Sequence, residues 1–198
     1  LRMLGVPYVI SSSGKTVPED TGAYPKSALV TTDTEIESQN MIDYLCSCGH
    51  KRIAFITSGD EGLGRCHLNG YKRSLEKNGL EYDEKLIIRL KPAKRIYTIE
   101  NGYNCTCELL KSGVDFSCIY AISDTLAVGA CRAIIDSGKR VPEDYCVAGA
   151  DGQDIAEYYH PSITTLKYPR VETAQQSVRT LFDMIDRKKV VKRQILGG

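Results

Sequence analysis

The sequence lacks several features that mark specialised classes of protein. Its 198 residues carry 26 basic and 25 acidic side chains, so the formal net charge is only +1. A nucleic-acid surface needs cations concentrated on one face, and this charge balance indicates none. No apolar run approaches the roughly 20 residues that span a bilayer, and no signal peptide is visible. We therefore expect a cytoplasmic protein with no membrane partner.

Motifs that carry catalysis or bind a nucleotide cofactor are also missing. The sequence contains neither the Gly-x-Ser-x-Gly turn of a serine nucleophile nor the Gly-x-Gly-x-x-Gly loop of a dinucleotide site. Ser123, His67, His160 and the aspartates supply groups that nucleophilic catalysis uses, but no recognisable motif joins them. We expect no enzymatic activity and no cofactor.

The eight cysteines do not form a familiar metal motif. They include two Cys-x-Cys pairs, Cys46 with Cys48 and Cys105 with Cys107. Both pairs fall in predicted helices, where residues i and i+2 face different directions, whereas structural zinc favours Cys-x₂₋₄-Cys loops. The alternative interpretations are a zinc site and reduced thiols that pack as small hydrophobic groups. We favour the second and expect no metal.

The sequence does contain a regular alternation of apolar strands and amphipathic helices. Hydrophobic residues make up 42% of the chain, which is enough for a core. Strand-like segments recur about every 30 residues, the length of a right-handed βαβ unit. The predicted strands of this series are 29–32, 53–57, 86–90, 119–122 and 146–149. The pattern predicts an α/β fold with parallel sheets flanked by helices.

One strand-to-helix junction is especially clear. The apolar run 119–122 ends in Ser123 and Asp124, and a helical pattern begins at once. Asp124 has the side chain of a good N-cap, because its carboxylate can accept from the first free backbone N–H groups. Ser123 and Asp124 should therefore lie at the carboxyl end of a parallel strand, the edge where open α/β sheets bind ligands.

Three aspartates occupy junctions of this kind: Asp33, Asp124 and Asp151. For each one alone, a helix cap or a turn residue is the simpler interpretation. Together they could converge on one cleft, because the carboxyl ends of parallel strands share an edge. Carboxylates form strong charge-assisted hydrogen bonds with hydroxyl groups, as a polyol ligand would supply. The sequence thus favours a binding site for a hydroxylated small molecule.

Several short segments, in their order and spacing, resemble the effector-binding domain of LacI/GalR transcriptional regulators. The matching segments are GVPYVI at 5–10, VTTD at 30–33, GHKRIAFI at 49–56, GY at 70–71, SD at 123–124 with LAVGA at 126–130, VPED at 141–144, GAD at 149–151 and PSITTL at 161–166. Each segment alone is a weak signal, but the ordered set covers nearly the whole chain.

The resemblance implies a two-lobe, periplasmic-binding-protein-like fold with an effector between the lobes. Residues 51–165 would form a complete C-terminal lobe, and residues 1–50 with 167–187 an incomplete N-terminal lobe. Residues 188–198 would be a crossing segment. An incomplete lobe exposes a strand edge and an apolar helix face.

The resemblance also implies the residues of the effector site. Asp33, Asp124 and Asp151 match aspartates that contact the effector, and Tyr97 matches an aromatic side chain that stacks on the ligand ring. Two positions depart from the family pattern. Ser123 stands where the family usually has asparagine. His67 stands where it usually has arginine, and Arg65 lies two residues earlier. Histidine cannot copy the rigid donor fork of arginine.

The function implied by the resemblance is that of an effector-sensing domain. A small-molecule effector of carbohydrate type would bind between the lobes, and a helix-turn-helix headpiece that is missing from this chain would bind DNA. The family resemblance further implies a homodimer, for which residues 125–137 and 152–160 are the expected surfaces. The alternative is a solute-binding protein of a sugar transport system, which shares the two-lobe fold.

Overall fold

The computed structural model describes residues 6–12, 26–91 and 96–197. The chain divides into two compact units, and each contains its own parallel sheet. The smaller unit comprises Leu1–Thr34 and Pro169–Gly198, and the larger unit comprises Glu35–Tyr168. In the described part of the chain, no helix combines the length and the apolar character needed to span a membrane.

The strands and helices follow the alternation that the sequence predicts. The strands are β1 (Tyr8–Ser12), β2 (Ser27–Thr32), β3 (Ile53–Thr57), β4 (Ile87–Arg89), β5 (Cys118–Ala121), β6 (Cys146–Asp151), β7 (Thr164–Lys167) and β8 (Arg193–Leu196). The helices are α1 (Thr34–Ser47), α2 (Gly62–Lys77), α3 (Ile99–Lys111), α4 (Asp124–Asp136), α5 (Asp154–Tyr158) and α6 (Arg170–Ile185). A short 3₁₀ turn, Glu84–Leu86, precedes β4.

The smaller unit is built on a three-stranded parallel sheet in the order β1-β2-β8. Every residue of the central strand β2 is buried. Helix α6 is tied to β8 by a polar chain, in which Gln194 donates to the Thr180 hydroxyl and accepts from Gln176. Most of the large apolar side chains of α6 are exposed, notably Val171, Val178, Phe182 and Ile185.

The larger unit is built on a five-stranded parallel sheet in the order β4-β3-β5-β6-β7. Its centre is a stack of aromatic rings, in which Phe55 lies 5.1 Å from Tyr71 and 5.3 Å from Tyr120 between ring centroids. All three rings are fully buried. The Tyr71 hydroxyl donates to the Ile53 carbonyl oxygen at 2.8 Å, so its polar end is satisfied within the core.

Helix α1 belongs to the larger unit from Glu35 onward, whereas the sequence-based division assigned residues 1–50 to the N-terminal lobe. The reason is a close contact with α2. The Asp43 carboxylate accepts from the Ser74 hydroxyl at 2.5 Å and from Lys77 Nζ at 2.6 Å. A Cβ atom at Gly70 would lie 2.1 Å from the Glu35 carbonyl oxygen, so the two backbones almost touch. Residues 188–198 contain β8, which pairs in parallel with β2.

Helices α3 and α4 approach each other through two glycines. A Cβ atom at Gly102 would lie 2.1 Å from the Leu126 carbonyl oxygen, and one at Gly129 would lie 2.1 Å from the Ile99 carbonyl oxygen. Both clashes involve backbone atoms, which cannot rotate away as a flexible side chain can. The contact between these helices therefore requires glycine at both positions.

We expect the Gly129→Ala substitution to lower the free energy of unfolding by about 3 kcal/mol, the upper range for an overpacked core. Urea denaturation would measure the loss. Gly113→Ala is the control, because its site is open and has a left-handed φ of 71°. That change should cost only about 1 kcal/mol of backbone strain. Equal losses in both variants would contradict the close approach of α3 and α4.

Candidate functional site

The carboxyl edge of the five-stranded sheet holds most of the residues that the sequence predicts for a ligand site. Because its strands are parallel, the segments that follow them emerge at one edge. Arg65 follows β3, Tyr97 follows β4, Ser123 and Asp124 follow β5, and Asp151 ends β6. This edge of the larger unit is the candidate functional site.

The junction after β5 differs from the sequence-based prediction in one respect. The N-cap of α4 is Ser123, not Asp124. Ser123 has the extended backbone of a capping residue, and its hydroxyl accepts from the Leu126 backbone N–H at 3.3 Å. Asp124 is already the first helical residue, so its carboxylate is directed to other partners.

The Asp124 carboxylate is fully buried, with 0% of the residue exposed, and it bonds to two later segments of the chain. One oxygen, Oδ1, accepts from the Thr165 hydroxyl on β7 at 2.5 Å. The other, Oδ2, accepts from the Gln153 backbone N–H before α5 at 2.6 Å. Asp124 thus joins the start of α4 to strand β7 and to the turn before α5. Its direct contact with an effector stays a prediction.

Two glycines make room for this carboxylate and its partner. A Cβ atom at Gly149 would lie 2.3 Å from Asp124 Oδ1, so a larger residue would collide with the acid. The Gly152 backbone N–H donates to the Thr165 hydroxyl oxygen at 3.1 Å. Thr165 therefore accepts from one segment and donates to another, which fixes the turn after β6 against β7.

Asp151 has a strained backbone conformation. Its φ is 106°, in the left-handed region that side chains with a Cβ atom rarely adopt. Such strain costs on the order of 1–3 kcal/mol and concentrates at functional sites. The residue is half-buried, and the Gln153 side-chain amide donates to Asp151 Oδ2 at 3.1 Å. Gln153 thus bonds to both Asp124 and Asp151.

His67 lies on α2 with its ring half-buried. Its Nδ1 is 3.0 Å from the hydroxyl of Ser38, which in turn donates to the Tyr120 hydroxyl at 3.3 Å. Burial lowers the pKa of His67 from 6.5 to about 4. The ring is therefore neutral at pH 7 and does not supply the positive charge that an arginine would.

Arg65 and Tyr97 have different surroundings. The exposed Arg65 donates from Nε to the Asp60 carbonyl oxygen at 2.8 Å, which orders the loop after β3. Tyr97 is 44% exposed and lies just before α3, where Thr98 caps the helix by accepting from Asn101 N–H. Its ring is accessible to a ligand.

Asp33 lies directly after β2, in the smaller unit. It is half-buried. Among the three predicted aspartates, the structure therefore links Asp124 and Asp151 through Gln153 within one unit, and it places Asp33 at the carboxyl end of a strand in the other unit.

The cysteines and other potential metal ligands do not add a second site. Within residues 6–12, 26–91 and 96–197, no three His, Cys, Asp or Glu side chains are grouped so that they could hold a metal ion. All eight cysteines are free thiols. Burial raises the pKa of Cys105 and of Cys131 to about 12, so both are poor nucleophiles.

We expect the Thr165→Val substitution to reduce the free energy of unfolding by about 2–3 kcal/mol. The variant keeps the shape of the side chain but removes the hydroxyl that donates to the buried Asp124 oxygen and accepts from the Gly152 N–H. Chemical denaturation would measure the change. Thr164→Val is the matched control on the exposed face of the same strand, and its effect should stay within about 0.5 kcal/mol. Similar values for the two variants would rule out the buried bond as the cause.

His67 should make stability fall as the pH is lowered. The unfolded chain binds a proton at this residue near pH 6.5, whereas the folded protein does so only near pH 4. Between these values the unfolded state holds more protons, so acid favours unfolding by about 1.4 kcal/mol per pH unit. Lowering the pH from 7.5 to 5.0 should therefore cost about 2 kcal/mol. The His67→Gln variant lacks this contribution, and parallel pH profiles for the two proteins would contradict the assignment.

Comparison with known proteins identifies the family of this site. The model of the family described as periplasmic binding protein-like domain matches residues 42–197. HTH-type transcriptional regulator MalR of Clostridium butyricum is 40% identical over 126 residues, which cover 64% of this chain and 36% of MalR. HTH-type transcriptional regulator CelR of Thermobifida fusca is 32% identical over 182 residues, which cover 91% of this chain and 51% of CelR.

The solved structures agree with the sequence relatives. The structure of a transcriptional regulator CelR–cellobiose complex superposes with a TM-score of 0.82 at 31% identity, covering 98% of this chain and 57% of that one. The chain spans about half or less of the length of these two curated relatives. The chain belongs to the periplasmic binding protein-like domain family, in the form that LacI-family transcriptional regulators carry as their effector-binding domain.

Proposed function

We propose that this chain senses a carbohydrate effector on behalf of a LacI/GalR-type transcriptional regulator. The observation that carries the proposal is the strained Asp151, which is held by Gln153 at the carboxyl edge of the five-stranded sheet. The reported relatives are regulators, which favours this function over that of a transport protein. The known complex of CelR with cellobiose supports a carbohydrate as the ligand class.

Each residue at the edge has a separate proposed role. The Asp151 carboxylate accepts hydrogen bonds from sugar hydroxyls, which are stronger than bonds between neutral groups. The accessible Tyr97 ring packs on a sugar face. Arg65 and Ser123 offer polar groups beside them, and we propose a ligand contact for Asp33 as well. Asp124 holds the turn that presents Asp151, and the neutral His67 contributes shape and hydrogen bonding instead of charge.

Effector binding would act on DNA by shifting a population of conformations, not by chemistry. A helix-turn-helix headpiece, the feature for which the relatives are named, would make the DNA contact. We propose that the regulator works in the cytoplasm as a homodimer. Exposed apolar side chains on α4 and α5 support a dimer surface, since Ile135 and Ile155 are exposed and Tyr158 is 82% exposed. No step in this mechanism requires catalysis.

We expect a sugar from a panel of mono- and disaccharides that includes cellobiose to raise the thermal stability of the protein. At 100 times its dissociation constant, a ligand adds about 2.7 kcal/mol to the free energy of unfolding. Asp151→Asn should weaken binding at least tenfold, because it removes the charge while asparagine tolerates the left-handed backbone. Differential scanning fluorimetry and calorimetric titration would measure both effects.

Asp115→Asn is the matched control, since the Asp115 side chain is 87% exposed and lies on the loop before β5, at the opposite edge of the sheet. It should leave sugar affinity unchanged. Undiminished binding by Asp151→Asn would remove this residue from the effector site. A protein that binds no carbohydrate in the panel would argue against the ligand class itself.

A further inference from the structure

The smaller unit contains a cavity of about 570 Å³ that lies away from its strand-end aspartate. Three of its lining residues stand at the amino ends of strands: Pro7 before β1, Lys26 before β2 and Lys192 before β8. The remaining wall comes from the last turn of α6 and the segment that follows it. Asp33 follows the opposite, carboxyl end of β2, so the cavity is distinct from the proposed effector edge.

The lining of this cavity is strongly cationic in a chain whose net charge is only +1. Five basic residues contribute to it: Lys26, Arg187, Lys188, Lys189 and Lys192. Lys188 is paired with two carboxylates, because its Nζ lies 3.1 Å from both Asp183 and Asp186. The carbonyl end of α6 compensates about half a charge.

Arg187 occupies a position where glycine would be easier to accommodate. It has a φ of 59° and directly follows the C-cap of α6, where its N–H donates to the Met184 carbonyl oxygen and the next N–H donates to Asp183. Helices commonly place glycine at such a left-handed end. Within the described part of the chain, the side chains of Arg187 and Lys189 make no hydrogen bond or ion pair with protein groups. The Arg187 guanidinium is therefore available to bind an anion at the cavity.

The rest of the wall is apolar, from Pro7, Met184, Ile185 and Val190. A volume of about 570 Å³ is typical of sites for small organic ligands and far exceeds the space that one inorganic anion fills. We infer that the cavity binds a phosphorylated organic anion of the size of a nucleoside diphosphate. The phosphate oxygens accept hydrogen bonds from the Arg187 guanidinium and from the lysines that line the cavity. The organic part packs on the apolar wall.

The inference can be tested with ADP as the probe, together with adenosine and inorganic phosphate as its two parts. Calorimetric titration of the whole chain in buffer of low ionic strength should show ADP binding at least tenfold more tightly than either part. In ¹⁵N-labelled protein, ADP should shift the backbone amide resonances of residues 184–192 and leave those of 149–153 unchanged. The result is independent of the carbohydrate proposal, because the two sites lie on different residues.

Arg187→Gly provides a variant whose stability and affinity should change in opposite directions. Glycine relieves the left-handed strain, so the Tm should rise, while the loss of the guanidinium should weaken ADP binding at least tenfold. Lys189→Gln should weaken ADP binding without a change in Tm. The charge-matched control is Lys51→Gln with Lys139→Gln, two exposed lysines of the larger unit, which should leave affinity within twofold.

Three results would overturn the inference. ADP could fail to bind at millimolar concentration, or inorganic phosphate could bind as tightly as ADP. The Lys51 and Lys139 control could also weaken ADP binding as much as Arg187→Gly, which would indicate attraction by overall charge and not by this cavity.

Discussion

The hydrogen bonding of the buried Asp124 carboxylate is the interaction on which the candidate functional site depends. A charge removed from water costs several kcal/mol unless its oxygens are bonded. Here the Thr165 hydroxyl and the Gln153 N–H meet that requirement at 2.5 and 2.6 Å. Thr165 lies 41 residues and Gln153 29 residues further along the chain than Asp124. One side chain thus fixes the start of α4, the turn before α5 and strand β7, and the position of Asp151 follows from that turn.

Local sequence patterns were sufficient to predict most of the fold. Short apolar runs such as 53–57 identified the buried strands, and periodic apolar residues identified the helices, because both signals arise from neighbours in the chain. The placement of α1 could not be read in this way. It depends on hydrogen bonds from Ser74 and Lys77 to Asp43, which join residues more than 30 positions apart. The orientation of α6 likewise depends on Gln194, which no local pattern connects to Thr180.

In the candidate functional site too, local sequence patterns predicted some features, whereas contacts between distant residues determine the others. The sequence predicted that Asp124 and Asp151 share a strand edge, because junction chemistry is local and the sheet is parallel. It did not predict that Asp124 is buried against Gln153, Thr165 and Gly149, because these residues are distant in the chain. Nor did it predict the left-handed backbone of Asp151. The sequence signal for the contact at Gly149 was a glycine inside an apolar strand, because such a glycine often marks a close approach of another group. The family resemblance supplied the remaining expectations, including Tyr97.

The paired glycines of α3 and α4 have a mechanical consequence. Main-chain atoms of the two helices meet without intervening side chains, so there is no compliant layer in which one helix could slide on the other. The helices must therefore translate and rotate as one block. The segment of Tyr97 enters that block at one helix and Ser123 enters it at the other. A displacement of the segment at Tyr97 or at Ser123 would therefore move both helices together.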